Sequence, residues 1–360
     1  MEHKFNYKWT LKDANFTKDK GKVFSCFACG GGSTMGYKLA GFDVIGCNEI
    51  DKKMIEIYKK NHNPKYAFCE PIQEFKNKEE LPEELFNLDI LDGSPPCSTF
   101  SLSGHREDDW GKMRRFREGQ AEQVLDTLFF DFIDLAKRLQ PKVVVAENVK
   151  GLLVGDAKEY VRKIYQEFDN AGYYCQHFCL DASKMGVPQK RERVFFVCLR
   201  KDLAQPFLVQ KNLFDTIPFI EMEFNEEPIT FGECEVENST NGQKVHKGMI
   251  EYFFKCKNGK NLSTVCPKGS NYWFNFYKLD KDKVCPTLAS AAYDKIFHYE
   301  KPEQISLEQW IACGTFPMDY NFLEDGKKKN DGRYVIGMSV PPVMMAQVAS
   351  NIYEQWLSKM

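Results

Sequence analysis

From Lys22 to Leu199 the chain alternates between two rhythms of apolar and polar positions. Short apolar runs read as buried strands: "KVFSCFA" (Lys22–Ala28), "FDVIGCN" (Phe42–Asn48), "LDILDGS" (Leu88–Ser94), "KVVVAEN" (Lys142–Asn148) and "RVFFVCLR" (Arg193–Arg200). Between them lie stretches with helical spacing. One follows a glycine turn and runs through Leu39, and another is "DKKMIEIYKKN" (Asp51–Asn61). A third, Glu122–Leu139, stops before Pro141, and a fourth, Ala157–Tyr173, closes at Gly172 as a helix C-terminus should. Strand–helix alternation of this kind predicts an α/β fold on a doubly wound, mainly parallel sheet.

The rhythm is lost over Lys201–Lys283, which is rich in Asn, Lys, Phe and Glu and reads as a smaller, irregular, β-rich domain. Regular structure returns in "SLEQWIACG" (Ser306–Gly314) and in Val335–Leu357, a predicted strand, turn and helix with the helix starting at a proline pair. The expected organisation is an N-terminal segment 1–21, a sheet domain 22–200, a second domain 201–284, and a return segment 285–360 whose last helix packs on the sheet domain.

The 360 residues, 43% hydrophobic and 28% charged, describe a globular protein. No apolar run reads as long enough to span a bilayer, and Met1–Gly21 lacks the apolar core of a secretory signal, so an intracellular, cytoplasmic protein is expected. The 13 cysteines form no regular framework. Cys26 and Cys29 have C-x-x-C spacing, but no second pair completes a zinc set, and no metal is expected. A net charge of −2 gives no global sign of a polyanionic partner. Three local basic runs, Gly111–Glu118, Ser183–Arg193 and Phe254–Gly269, would suit phosphate contacts if they converge on one groove.

Four motifs carry candidate chemistry. "FACGGGSTMG" (Phe27–Gly36) lies between the first strand and first helix, where a doubly wound fold binds nucleotides, and Glu49 ends the second strand, where a carboxylate can hold ribose hydroxyls. The run lacks the G-x-G-x-x-G spacing of a pyrophosphate loop, so a phosphate-free nucleoside ligand fits better. Cys97, in "GSPPCSTF", lies just past a strand end, at the edge where such sheets place ligands. Glu147 and Asn148 end the Val-Val-Val strand, where a glutamate needs a partner or a raised pKa. Gln189, Arg191 and Arg193 alternate at the entry to the last strand and are expected to face one side.

In this order the motifs resemble the DNA cytosine-5 methyltransferase family: Phe27-Ala28-Cys29-Gly30-Gly31-Gly32, Glu49, Pro96-Cys97, Glu147-Asn148-Val149, Gln189-Lys190-Arg191-Glu192-Arg193 and Gly337-Met338-Ser339-Val340-Pro341-Pro342. The resemblance implies a Rossmann-like fold that uses S-adenosylmethionine, with S-adenosylhomocysteine as product, and methylates carbon 5 of a cytosine flipped out of a specific double-stranded DNA site. It makes Cys97 the covalent nucleophile, Glu147 the proton donor, Arg193 with Arg191 the support for the base oxygen, and Asn148 an orienting residue. Phe27, Ala28, Cys29, Gly30, Gly31, Gly32, Glu49, Ile50, Glu70, Pro96 and Ser339 would hold the cofactor, with Glu70 the acid that reaches the adenine amine. His105–Arg117 becomes a loop closing over the flipped base, and 201–284 the target-recognition domain. Three departures stand out: Cys29 for the first family glycine, whose backbone demand Gly30 is expected to absorb, Ser98 for glutamine, and Met338 for asparagine. The implied setting is a monomer in a restriction-modification system, with a cognate restriction endonuclease as partner. A tRNA cytosine-5 methyltransferase of the same fold is the nearest alternative. An NAD-dependent oxidoreductase would explain the glycine loop and Glu49, but not Cys97, Glu147 and the Gln-Arg-Arg set together.

Overall fold

The computed structural model describes residues 3–96, 113–114, 123–124, 127–154, 157–210, 216–237, 246–266, 276–290, 295–323 and 331–360. They form two compact units. One contains Phe16–Leu180, Glu192–Glu223 and Ala346–Met360; the other contains Met1–Asn15, Asp181–Arg191 and Phe224–Met345.

The first unit is built on a sheet of seven strands: β1 (Lys22–Cys26), β2 (Asp43–Asn48), β3 (Tyr66–Phe68), β4 (Ile90–Gly93), β5 (Val143–Val149), β6 (Tyr173–Asp181) and β7 (Glu192–Arg200), in spatial order β3-β2-β1-β4-β5-β7-β6. Pairing is parallel from β3 through β5, and β7 runs antiparallel to β5. The order turns at β1, so the crevice between β1 and β4 is the topological switch point of the sheet. The helices are α1 (Gly32–Leu39), α2 (Lys52–His62), α3 (Ile72–Lys76), α4 (Leu128–Leu139) and α5 (Ala157–Asn170).

Strands covered on both faces must be apolar throughout, and Val143–Ala146 of β5 are 0% exposed. Val144 and Ala146 share one core with Phe129, Phe132 and Leu135 of α4 and Ile164 and Phe168 of α5. Full burial of each such side chain stabilises the fold by roughly 1.5–3 kcal/mol. This core is what holds the carboxyl ends of β1, β2, β4 and β5 in fixed register.

Several expectations change. Tyr66–Phe68 and Tyr173–Asp181 are strands that periodicity did not announce; both are mostly half-buried, so they lack the continuous apolar signal of central strands. The helix expected from Glu122 begins at Leu128, and Gln123–Val124 instead pairs antiparallel with Met113–Arg114. The expected strand at Val335 is a helix, Asp331–Met338. There the half-buried positions Tyr334 and Met338 fall four apart, a helical period that the β-branched Val335-Ile336 pair concealed. Gly332–Lys359 is, by length and composition, an apolar stretch long enough to cross a membrane, contrary to expectation; it is largely buried within the protein.

The second unit has a three-stranded sheet, Lys260–Asn261, Tyr277–Lys278 and Ile296–Phe297, over a core of Met249, Phe253, Cys256, Leu262 and Phe297. The N-terminal residues belong here. Trp9 Nε1 donates to the Thr315 carbonyl, and Leu11 N donates to Asp319. The unit boundaries also depart from the 22–200 and 201–284 spans: Asp181–Arg191 joins this unit, whereas residues 201–223 stay with the sheet.

Candidate active site

The glycine-rich loop leaves β1 at Cys26. Phe27 (φ 52°), Cys29 (φ 47°) and Gly31 (φ 94°) alternate in the left-handed region, coiling the backbone tightly into α1. Cys29 therefore takes the strained conformation itself, and Gly30 does not absorb it as expected. Residues with a Cβ take this region at a cost of roughly 1–2 kcal/mol. Part of that is offset by the Cys29 amide, which donates to Glu49 Oε2 at 2.7 Å. At Gly31 only glycine fits, because a Cβ would overlap the His62 ring. Ala28, Gly30 and Gly32 are buried, and Ile50, one residue past Glu49, is half-buried.

Glu49 is 8% exposed, and its Oε1 accepts from the Asp51 amide at 2.9 Å. Burial pushes its carboxyl up to about 7, against the lowering effect of the two amide bonds. The Asn48 amide group donates to the Glu70 carbonyl at 2.8 Å, which sets the start of the segment after β3. The Glu70 carboxylate itself is paired with Lys78 at 2.9 Å.

On the other side of the switch point, β4 runs into Ser94, Pro95 and Pro96. Cys97 and Ser98 lie outside the described residues, as do the first basic run, Gly111–Glu118, and the His105–Arg117 loop apart from Met113 and Arg114. Gly93 pairs with Ala146 of β5, which puts Ser94 beside Glu147. Asn148 Nδ2 donates to the Pro95 carbonyl at 3.1 Å, tying the stretch that leads to Cys97 to the end of β5. Glu147, 6% exposed, has its partner: Arg193 Nε lies 2.9 Å from Oε1. Burial lowers the Arg193 pKa and the Glu147 charge opposes that shift.

Arg191 goes elsewhere. It is 1% exposed in the second unit, where its two terminal nitrogens donate to the Leu288 carbonyl at 3.2 Å and the Gly337 carbonyl at 2.9 Å. Gln189 behaves alike, donating to the Cys313 carbonyl and accepting from the Leu288 amide. The expected common side of Gln189, Arg191 and Arg193 is thus divided, because the unit boundary falls between Arg191 and Glu192. Ser339 is also in the second unit, 6% exposed, and its hydroxyl has no hydrogen-bond partner among the described residues.

Within the 201–284 span expected to recognise DNA, Lys278 is turned to the local core. Its Nζ donates to the Phe253 and Cys256 carbonyls, and Phe276 packs on the local core; residues 269–275 lie outside the described residues. Among the described residues no group of His, Cys, Asp and Glu is placed to hold a metal. Sequence reading passed over one buried residue, Asp92, whose only signal is a carboxylate inside the apolar run Leu88–Gly93.

The donor set at the carboxyl edge of the first unit suits an uncharged nucleoside with a charged tail. Glu49 is a buried acceptor, and the tightly coiled glycine loop opens the N-terminus of α1. Over 182 residues the chain is 39% identical to Type II methyltransferase M.FnuDI of Fusobacterium nucleatum, covering 51% of this chain and 48% of that protein. It is 24% identical to M.NgoFVII of Neisseria gonorrhoeae over 375 residues, covering 95% and 89%. The chain thus spans about half the length of M.FnuDI, and likewise 51% of M.NgoPII, but most of M.NgoFVII. The fold matches a prophage-encoded DNA modification methyltransferase of E. coli (TM-score 0.66, 19% identity, 93% of this chain and 99% of that one). It also matches Spodoptera frugiperda DNMT2 (TM-score 0.61, 17% identity, 91% and 98%). The sequence model described as C-5 cytosine-specific DNA methylase matches residues 21–354, and the chain belongs to that family.

Proposed function

We propose that this protein methylates carbon 5 of cytosine in double-stranded DNA. The observation that carries the reading is the arrangement on one edge of one sheet. The glycine loop and Glu49 flank the switch point on one side; the Glu147–Arg193 pair and the Asn148–Pro95 tether flank it on the other. S-adenosylmethionine, when bound, supplies the methyl group from its sulfonium. Glu49 would accept hydrogen bonds from the ribose hydroxyls, the amides of the Phe27–Gly32 loop would meet the amino-acid tail, and Pro96 would border the same site.

Carbon 5 is a weak nucleophile within an aromatic ring. Addition of the Cys97 thiolate at carbon 6 breaks the aromaticity and makes carbon 5 an enamine carbon able to take the methyl. Glu147 holds a proton at ring N3 as charge develops there, and Arg193, fixing Oε1, leaves Oε2 for the base. Loss of the carbon-5 proton and departure of Cys97 restore the ring and the free thiol. A base inside a stacked duplex cannot be reached from both faces, so the cytosine is flipped out. Residues 201–284 would supply target recognition. In this reading the enzyme works as a cytoplasmic monomer beside a cognate restriction endonuclease, a setting supported by the Type II names of its relatives.

Bisulfite sequencing of host DNA after expression of wild type and Cys97→Ser tests this. Protection of cytosines at one short motif, with wild type only, is the expected result. Protection confined to cellular RNA would move the substrate to RNA, and equal protection by Cys97→Ser would remove the covalent step.

A further inference from the structure

Asp92 has no place in the chemistry above, yet it is 1% exposed at the centre of the sheet, on β4 beside the switch point. Three hydroxyls converge on it. Ser25 Oγ of β1 donates to Oδ2 at 2.7 Å, Ser33 Oγ of α1 donates to the same oxygen at 2.8 Å, and Tyr37 Oη of α1 donates to Oδ1 at 3.3 Å. Burial pushes the carboxyl up to about 6, against the three hydroxyl bonds and with a smaller push from the Glu147 charge. A carboxylate here costs stability that an apolar residue would not, so the fold alone gives no reason for it.

Its position does. The donors stand on both sides of the glycine loop: Ser25 comes just before Phe27, and Ser33 and Tyr37 lie in the helix that follows Gly31. The acceptor stands three residues before Pro95, at the end of the strand that continues toward Cys97. Asn148 grips the same stretch from β5 at Pro95. One buried carboxylate therefore joins the arm that would hold the methyl donor, through three hydroxyl anchors, to the arm that would carry the nucleophile, on which it stands itself. Bonds to an ionised acceptor are shorter and about twice as strong as neutral ones.

We propose that Asp92 is a positioning residue for methyl transfer, its carboxylate fixing the separation between the glycine-rich loop and the Pro-Pro-Cys stretch so that donor methyl and cytosine carbon 5 meet in line. The inference rests on the methyl-transfer reading. It extends it to a residue that touches neither donor nor base. Misplacement of reacting atoms by about 1 Å costs on the order of a hundredfold in rate, so the effect belongs in the chemical step rather than in DNA binding.

The test uses the full chain as wild type, Asp92→Asn and Ser33→Ala. It measures kcat per active site, counted by covalent trapping on a duplex containing 5-fluorocytosine, together with KM for DNA, affinity for S-adenosylhomocysteine, and Tm. Asp92→Asn keeps the shape and removes the charge. Its kcat is expected to fall at least tenfold, with weaker S-adenosylhomocysteine binding, unchanged KM for DNA and no loss of Tm at about pH 8. Ser33→Ala, which keeps the charge and removes one anchor, falls between the two. Wild-type kcat per active site in a folded Asp92→Asn overturns the proposal, as does a lower Tm with an unchanged rate per trapped site. If Asp92→Asn does not fold, Ser33→Ala and Tyr37→Phe decide by the same readings, and unchanged rates in both overturn it. If wild type transfers no methyl group at all, the methyl-transfer reading fails. The comparison of S-adenosylhomocysteine affinities then decides whether Asp92 sets the loop.

Discussion

Arg191 and Arg193 are two positions apart, carry the same group, and end in opposite surroundings. Arg193 meets a carboxylate, Glu147, at the crevice edge of the sheet. Arg191 meets two backbone carbonyls, of Leu288 and Gly337, inside the other unit. The guanidinium is well suited to both tasks, since it presents several fixed donors and stays charged. The difference teaches that a motif written as one string can serve two purposes: one arginine pairs with a buried carboxylate at the sheet edge, and the other ties together the backbone of the second unit. Gly337 shows how closely the second is fitted, because a Cβ there would run into the backbone of Ser290.

The contrast can be broken by experiment. Glu147→Gln is expected to lower kcat about a hundredfold or more while the Tm stays within a few degrees, the loss typical of a removed general acid. A retained rate would take Glu147 out of the chemistry. Arg193→Met should lower kcat nearly as far, because it leaves the Glu147 charge buried without its partner. Arg191→Met should instead cost about 3 kcal/mol of stability by leaving two buried carbonyls unmet, with kcat per folded molecule close to wild type. Denaturant titration beside single-turnover kinetics separates the two arginines, and matching profiles would end the distinction.

Next in size is a pH effect confined to the sheet unit. Burial raises Glu49 to about 7 and Asp92 to about 6, above the 4.5 and 3.8 of the free groups. The native state then keeps these protons to higher pH than the unfolded chain does. Their stabilising contribution is full below about pH 4 and is lost as pH rises through 6 to 7. Ligand-free stability is expected to fall by on the order of 2 kcal/mol per group between about pH 5 and pH 8. Glu49→Gln should flatten that slope; an unchanged slope would place the titration elsewhere. The smallest effect concerns Cys29. Cys29→Gly relieves a left-handed residue but loosens the unfolded chain, a net gain of about 0.5 kcal/mol seen as a slightly higher Tm. A lower Tm would mean that the contact of the Cys29 thiol with Met54 outweighs the strain.

Much of the sheet unit was legible because its central strands are buried on both faces. Val143–Ala146 announces itself as an unbroken apolar run and Val23–Cys26 as one interrupted only by Ser25, and the motifs follow such runs at their carboxyl ends. The edge strand Tyr173–Asp181 was not legible, since only one face of it packs and the alternation is imperfect. The second unit was harder still. Its short strands and short helices carry too few residues for a period to emerge, and it is assembled from three separate stretches of chain.

The sequence by itself determined the family, the order of the motifs and the residue types offered to the site, because each depends on local runs and short spacings. Only the tertiary structure decided that Cys29 rather than Gly30 takes the strained turn, that Arg191 and Arg193 part company, that Glu70 is held by Lys78, and that Asp92 joins two arms of the crevice. These are matters of which backbone or side chain comes within about 3 Å of another across many residues of chain, and no local pattern encodes that distance.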